Sequence, residues 1–145
     1  MRNYQIYLIE EEFAAHYFGR ERMFFQLFQE FEYSVGEIKS ILSKQIHYIT
    51  RPIPNLRLNQ FIHQQLQTKK DFRSENSAYY IEQGIRSTAK LELFDRHLIL
   101  QATGSYDAET VFFEVLRKSE EAFLAIDLYN ERFGWLKPIK ERKFV

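Results

Sequence analysis

The first residues along the chain with types suited to acid–base or metal chemistry are three adjacent carboxylates, Glu10-Glu11-Glu12. Consecutive helical residues point about 100° apart, so these groups cannot converge on one ion or substrate atom; charge at the positive end of a helix is the better reading. Glu12 and His16 share a helical face at i and i+4, as metal ligands can, yet a site needs three or four ligands and no third is implied nearby. His47, His63 and His97 scatter over three predicted elements in no HExxH or HxH arrangement. Neither GxGxxG nor the P-loop pattern occurs, and Gly104-Ser105-Tyr106 lacks the second glycine of a nucleophile elbow. The absence of cysteine removes thiol nucleophiles, disulfides and thiolate zinc sites. The residues therefore point away from an enzyme, and no metal or cofactor is expected.

Binding chemistry is better represented. Phe13 and Tyr17 stand one helical turn apart beside a second pair, Ala14 and Phe18, that already offers a face to bury. The spacing admits core burial and equally an outward aromatic anchor, a role Tyr fills with its apolar ring and polar tip. Near the C-terminus Lys137, Lys140, Arg142 and Lys143 are set against Glu141. A solvated tail is the plain reading of that excess, and a direct DNA-binding repressor is the functional alternative it supports.

The elements that must position these residues fit in one domain, taken as residues 1–145. Hydrophobic residues are 45% and charged residues 28%, with only 5 Gly and 3 Pro, which excludes collagen-like, low-complexity and broadly disordered chains. Twenty basic and twenty acidic residues cancel, so no whole-molecule field draws the chain to nucleic acid or an anionic membrane. Aromatic residues reach 17%, with 14 Phe and 9 Tyr, more than a small core readily seals. Glu10 interrupts the N-terminal apolar stretch before it has the length of a signal-peptide centre, and no uncharged run approaches the ~18 residues of a membrane span. A cytoplasmic location is expected.

Tyr4–Ile9 reads as a strand, 10–18 as a short helix ended by Gly19. Phe24, Leu27, Phe28, Phe31, Val35, Ile38 and Leu42 recur at helical spacing as one core stripe, with Gly36 a candidate break. Gln45–Thr50 runs into Arg51-Pro52-Ile53-Pro54 and reads as extended; a helix from Pro54 to about Thr68 follows. Residues 69–77 read as a mobile loop and Ala78–Thr103 as a β-hairpin. A central packing helix capped by Ser105 or Asp107 and a last strand pair, within Ala122–Leu128 and Phe133–Leu136, complete the chain. The order predicts an α+β fold with a mainly antiparallel or mixed sheet and three to four helices packed on it.

Four stretches together resemble one family. Tyr7–Glu21 (YLIEEEFAAHYFGRE), Lys44–Pro54 (KQIHYITRPIP), Asp107–Lys118 (DAETVFFEVLRK) and Phe133–Pro138 continuing to Val145 are similar, in the same order, to the SirA family of sporulation inhibitors of replication. The resemblance implies a negative regulator of replication initiation that binds the N-terminal domain (domain I) of the initiator DnaA. It implies no catalysis, small-molecule substrate, direct nucleic-acid contact or membrane association. It places the partner-binding surface on the early aromatic helix and on the strand before the double-proline segment, at Phe13, Tyr17, Gln45 and Tyr48, with Pro138 a lesser contact.

Overall fold

A computed structural model describes residues 1–138. The elements are β1 (Arg2–Leu8), α1 (Glu11–His16), α2 (Arg22–Tyr33), α3 (Gly36–Ile49), α4 (Asn55–Leu66), β2 (Phe72–Glu75), β3 (Ala78–Gln83), β4 (Ser87–Leu93), β5 (Leu98–Gly104), α5 (Asp107–Ser119), β6 (Phe123–Asp127) and β7 (Arg132–Trp135). All seven strands join one antiparallel sheet in the order β2-β3-β4-β5-β1-β6-β7. The fold is α+β as the sequence indicates, with five helices among the described residues, close to the three to four expected.

Strand β1 lies between β5 and β6, with Ile6 opposite Leu98 on one side and Ala125 on the other. Its side chains alternate between two covered faces. Tyr4 meets Phe113 of α5 edge-on at 5.2 Å, whereas Tyr7 stacks on Phe28 of α2 at 4.1 Å. The α5 face extends through Leu100, Leu91 and Tyr79, all buried, to α4, whose His63 ring packs on Tyr79 at 5.3 Å. On the α2 face, Phe25 stacks on Phe133 and Phe24 meets Trp135, so α2 covers the β1-β6-β7 end of the sheet.

Several elements differ from the expectations. The stripe from Phe24 to Leu42 is carried by two helices, broken at Gly36 (φ +65°) as the sequence allows, but Val35 before the break and Ile38 after it are exposed rather than core. Gln45–Ile49 is helix rather than strand. The steric effect of Pro52 reaches only its predecessor, and Leu42, Ile46 and Ile49 recur at helical spacing against the core. Only Thr50 is extended. The supposed loop 69–77 contains β2, folded onto β3 through Asn76 and Ser77, both at positive φ, as a two-residue hairpin turn needs. Ala78–Thr103 is three strands, not two. The shorter cap of α5 is remote, buried Ser87 accepting the Ala108 N–H at 2.9 Å, while Ser105 Oγ accepts the Asp107 N–H only at 3.5 Å and Asp107 is the first helical residue rather than a cap.

Gly104 is required where it stands. At φ +79°, a Cβ there would sit 2.0 Å from the Arg86 carbonyl oxygen. At the same end of the sheet, the buried Glu109 of α5 accepts from Arg2 Nε at 2.7 Å, while its second oxygen has no hydrogen-bond partner. Breaking such a pair on one side leaves an uncompensated charge. Arg2→Met should cost about 3 kcal/mol in urea unfolding, and adding Glu109→Leu should restore most of it; a single variant as stable as wild type contradicts this account.

His97 lies between Phe94, stacked at 4.9 Å, and the ring of Tyr7. Burial lowers its pKa from the ordinary value. The fold therefore prefers neutral His97, and this contribution is complete above the unfolded value, about 6.5, and shrinks as pH falls through the folded one. Urea midpoints measured between about pH 8 and 5 should fall less for His97→Gln than for wild type.

Candidate functional site

Helix α1 begins where β1 ends. Glu11 and Glu12 occupy its first turn, where carboxylates suit the helix dipole, and no side-chain cap is made. Gly19, at φ +80°, turns the chain out of the helical stretch. Its N–H donates to Glu21 Oε1 at 3.1 Å, and the same oxygen accepts the Trp135 indole N–H at 3.2 Å. Burial pushes the Glu21 carboxyl up, but these bonds and its own amide outweigh it and leave the group below its usual range. The end of α1 is thereby tied to β7.

The start of α1 is tied to α3. Ile9 and Thr50 form an isolated antiparallel bridge, Glu10 N–H donates to Ile49 O at 2.8 Å, and Arg51 N–H donates to Leu8 O at 2.7 Å. Thr50 Oγ1 caps back to Ile46 O at 2.7 Å. From the β4–β5 turn the Arg96 guanidinium donates to the His47 and Thr50 carbonyls, both at 2.9 Å, satisfying helix-end acceptors.

Between these two fixed helices lies an open groove of about 620 Å³. Phe13 and Tyr17 line one wall; Ile41, Gln45 and Tyr48 line the other; Phe24, Leu27 and Ile49 are set deeper, with Met23 and Lys44 also bordering it. Phe13 and Tyr48 meet edge-on at 5.3 Å, Tyr17 rests edge-on against Phe24 at 5.6 Å, and Phe24 in turn meets Trp135 at 6.1 Å. Phe13 and Tyr17 are half-buried, each packed on the core while one side faces the groove. Tyr48 is 73% exposed. In the second pair, Ala14 is buried, while Phe18, in the turn beyond α1 where the sequence predicts helix to residue 18, is exposed.

The structure thus brings Phe13, Tyr17, Gln45 and Tyr48 to one groove and sets Pro138 apart, in a smaller recess beside Ala14, Ala15 and Ala122 on the other side of α1. Sequence reasoning missed Ile41, Met23 and Lys44, and counted Leu27 as core. The overlooked signal is a second stripe on α3, Ile38, Ile41, Gln45 and Tyr48, offset from the face of buried Leu42 and half-buried Ile46 and Ile49. Glu12 and His16 are exposed, and among the described residues no group of three or more His, Asp or Glu is placed to hold a metal ion. No helix of the described residues is long and apolar enough to cross a membrane. Lys137 pairs with Glu121 at 3.3 Å, whereas Lys140, Arg142 and Lys143 lie outside the described residues.

Residues 2–140 match the family described as sporulation inhibitor of replication protein SirA. The chain is also 45% identical, over 147 aligned positions covering 99% of each protein, to the sporulation inhibitor of replication protein SirA of Bacillus subtilis strain 168. The chain belongs to the SirA family. That relative is by name an inhibitor of replication in sporulation.

The groove's width rests on the end of α3 staying fixed. Arg96→Ala should lower global stability by about 1–2 kcal/mol and speed hydrogen exchange of the Ile49–Arg51 amides more than those of α5. Equal protection in the two proteins contradicts a clamping role.

Proposed function

We propose that this SirA-family chain restrains replication initiation in sporulating cells by binding the N-terminal domain of DnaA in the α1–α3 groove. The regulatory role is drawn from the family and from the full-length relative; the partner is drawn from the resemblance of the quoted motifs. The observation that carries the reading is the groove itself, an apolar recess lined by aromatic rings in which Tyr48 is largely exposed. Aromatic anchors near the centre of an interface dominate binding energies, and two helices suffice to cover the roughly 800 Å² per side of an ordinary complex.

The mechanism is occlusion. Phe13 and Tyr17 meet an apolar patch of the initiator domain, Tyr48 adds its ring from the facing helix, and Gln45 supplies amide hydrogen bonds at the edge. A patch covered in this way is closed to any other partner of the initiator domain that needs it.

The rings differ as probes. Tyr17 supports Phe24 and Phe13 packs on the core, so truncating either affects fold and binding together. Tyr48 makes one edge contact and is otherwise open. In a calorimetric titration with the DnaA N-terminal domain, Tyr48→Ala should weaken binding about thirty-fold, near 2 kcal/mol. Its unfolding free energy should stay within about 0.5 kcal/mol of wild type. Undiminished binding by both Tyr48→Ala and Tyr17→Ala would remove the groove from the mechanism.

A further inference from the structure

The groove is apolar except at its border, and the one ionised side chain that lines it is a cation, Lys44. A second cation stands beside the α1 wall, where the Arg20 guanidinium lies 5.5 Å over the Tyr17 ring without lining the groove itself. Both side chains are on exposed residues, and among the described residues neither forms an ion pair. The acidic residues nearest in sequence do not offset them within the groove. Glu11 and Glu12 head α1 without lining it, and the Glu21 carboxylate is engaged by Gly19 and Trp135. An apolar recess with a cation on its α3 wall and another over a ring of its α1 wall is thus set into a chain of zero net charge.

We propose that the protein surface received here is an apolar knob flanked by carboxylates, which Lys44 and Arg20 steer into register before the rings close on it. The inference rests on the groove being the partner site and adds the partner's chemistry: an acidic-rimmed apolar patch on a folded domain. Exposed rim charges act mainly on the rate of encounter and on the choice of partner, because solvent and salt screen them once docking is complete. Desolvated rings act mainly on the rate of release. The two kinds of residue therefore leave separable kinetic signatures.

The test measures association and dissociation rate constants of the full chain with purified DnaA N-terminal domain at about 50 and 300 mM salt. Wild-type association should slow about five-fold or more over that range while dissociation barely changes. Lys44→Glu and Arg20→Glu should each slow association about ten-fold at low salt and flatten its salt dependence, Lys44→Gln falling between them and wild type. Tyr48→Ala should instead speed dissociation. If charge reversal leaves association unchanged or accelerates it, the acidic-rim proposal is overturned, and a fast-releasing Tyr48→Ala then still upholds the groove. Wild-type protein that does not bind the domain at all overturns both.

Discussion

The arrangement of the groove depends on a very short piece of backbone pairing, the bridge between Ile9 and Thr50 with its flanking bonds from Glu10 to Ile49 and from Arg51 to Leu8. Helix α1 has six residues, below the length at which an isolated helix holds itself together in water. It persists because its first residue follows directly from a central strand and its far end is held through Glu21 and Trp135. Helix α3 is longer, but its C-terminal carbonyls would be loose without Arg96. One crossing of two chain segments therefore sets the distance between Phe13 and Tyr48, and with it the width of the recess.

Open rings on a folded protein ordinarily collapse onto whatever apolar surface is near. Here each is held back by a neighbour already committed to the core. Tyr17 rests against Phe24, which is buried by Trp135 and the sheet, and Phe13 is propped on its inner side while its outer edge meets Tyr48. The core of α2 thus serves two purposes: it covers the β1-β6-β7 face and supplies a rigid floor for rings that remain partly wet. A floor of this kind lowers the ordering cost of association, because fewer rotamers remain to be fixed when a partner arrives.

How much of this was legible in the sequence varies with the physics behind each element. The strand β1 and the packing helix α5 were readable because their patterns are decided locally, by β-branched and aromatic alternation in one and a broad apolar face in the other. Gln45–Thr50 was misread because aromatic and β-branched residues suit a strand equally well; what decides for a helix is the burial of Leu42, Ile46 and Ile49 against elements distant in sequence. The apparent stripe from Phe24 to Leu42 was a coincidence of spacing across a turn, which hid that Ile38 and Ile41 point away from the core. Phe13 and Tyr17 were visible as a pair with two possible fates, and no local rule separates burial from display. The cap from Ser87 to Ala108 and the clamp from Arg96 join residues far apart in the chain and leave no trace in any window of sequence.

Gln45 and Tyr48 share one wall of the groove because Gln45–Ile49 is helix rather than strand. Residues three apart lie on opposite faces of a strand but on the same face of a helix. A strand would have turned only one of the two toward the groove, whereas the helix turns both. Their joint appearance on the groove wall, together with Ile41 one turn earlier, follows from the 3.6-residue period. A groove made from one side each of two helices, fixed at their shared base, is open along its length and closed beneath.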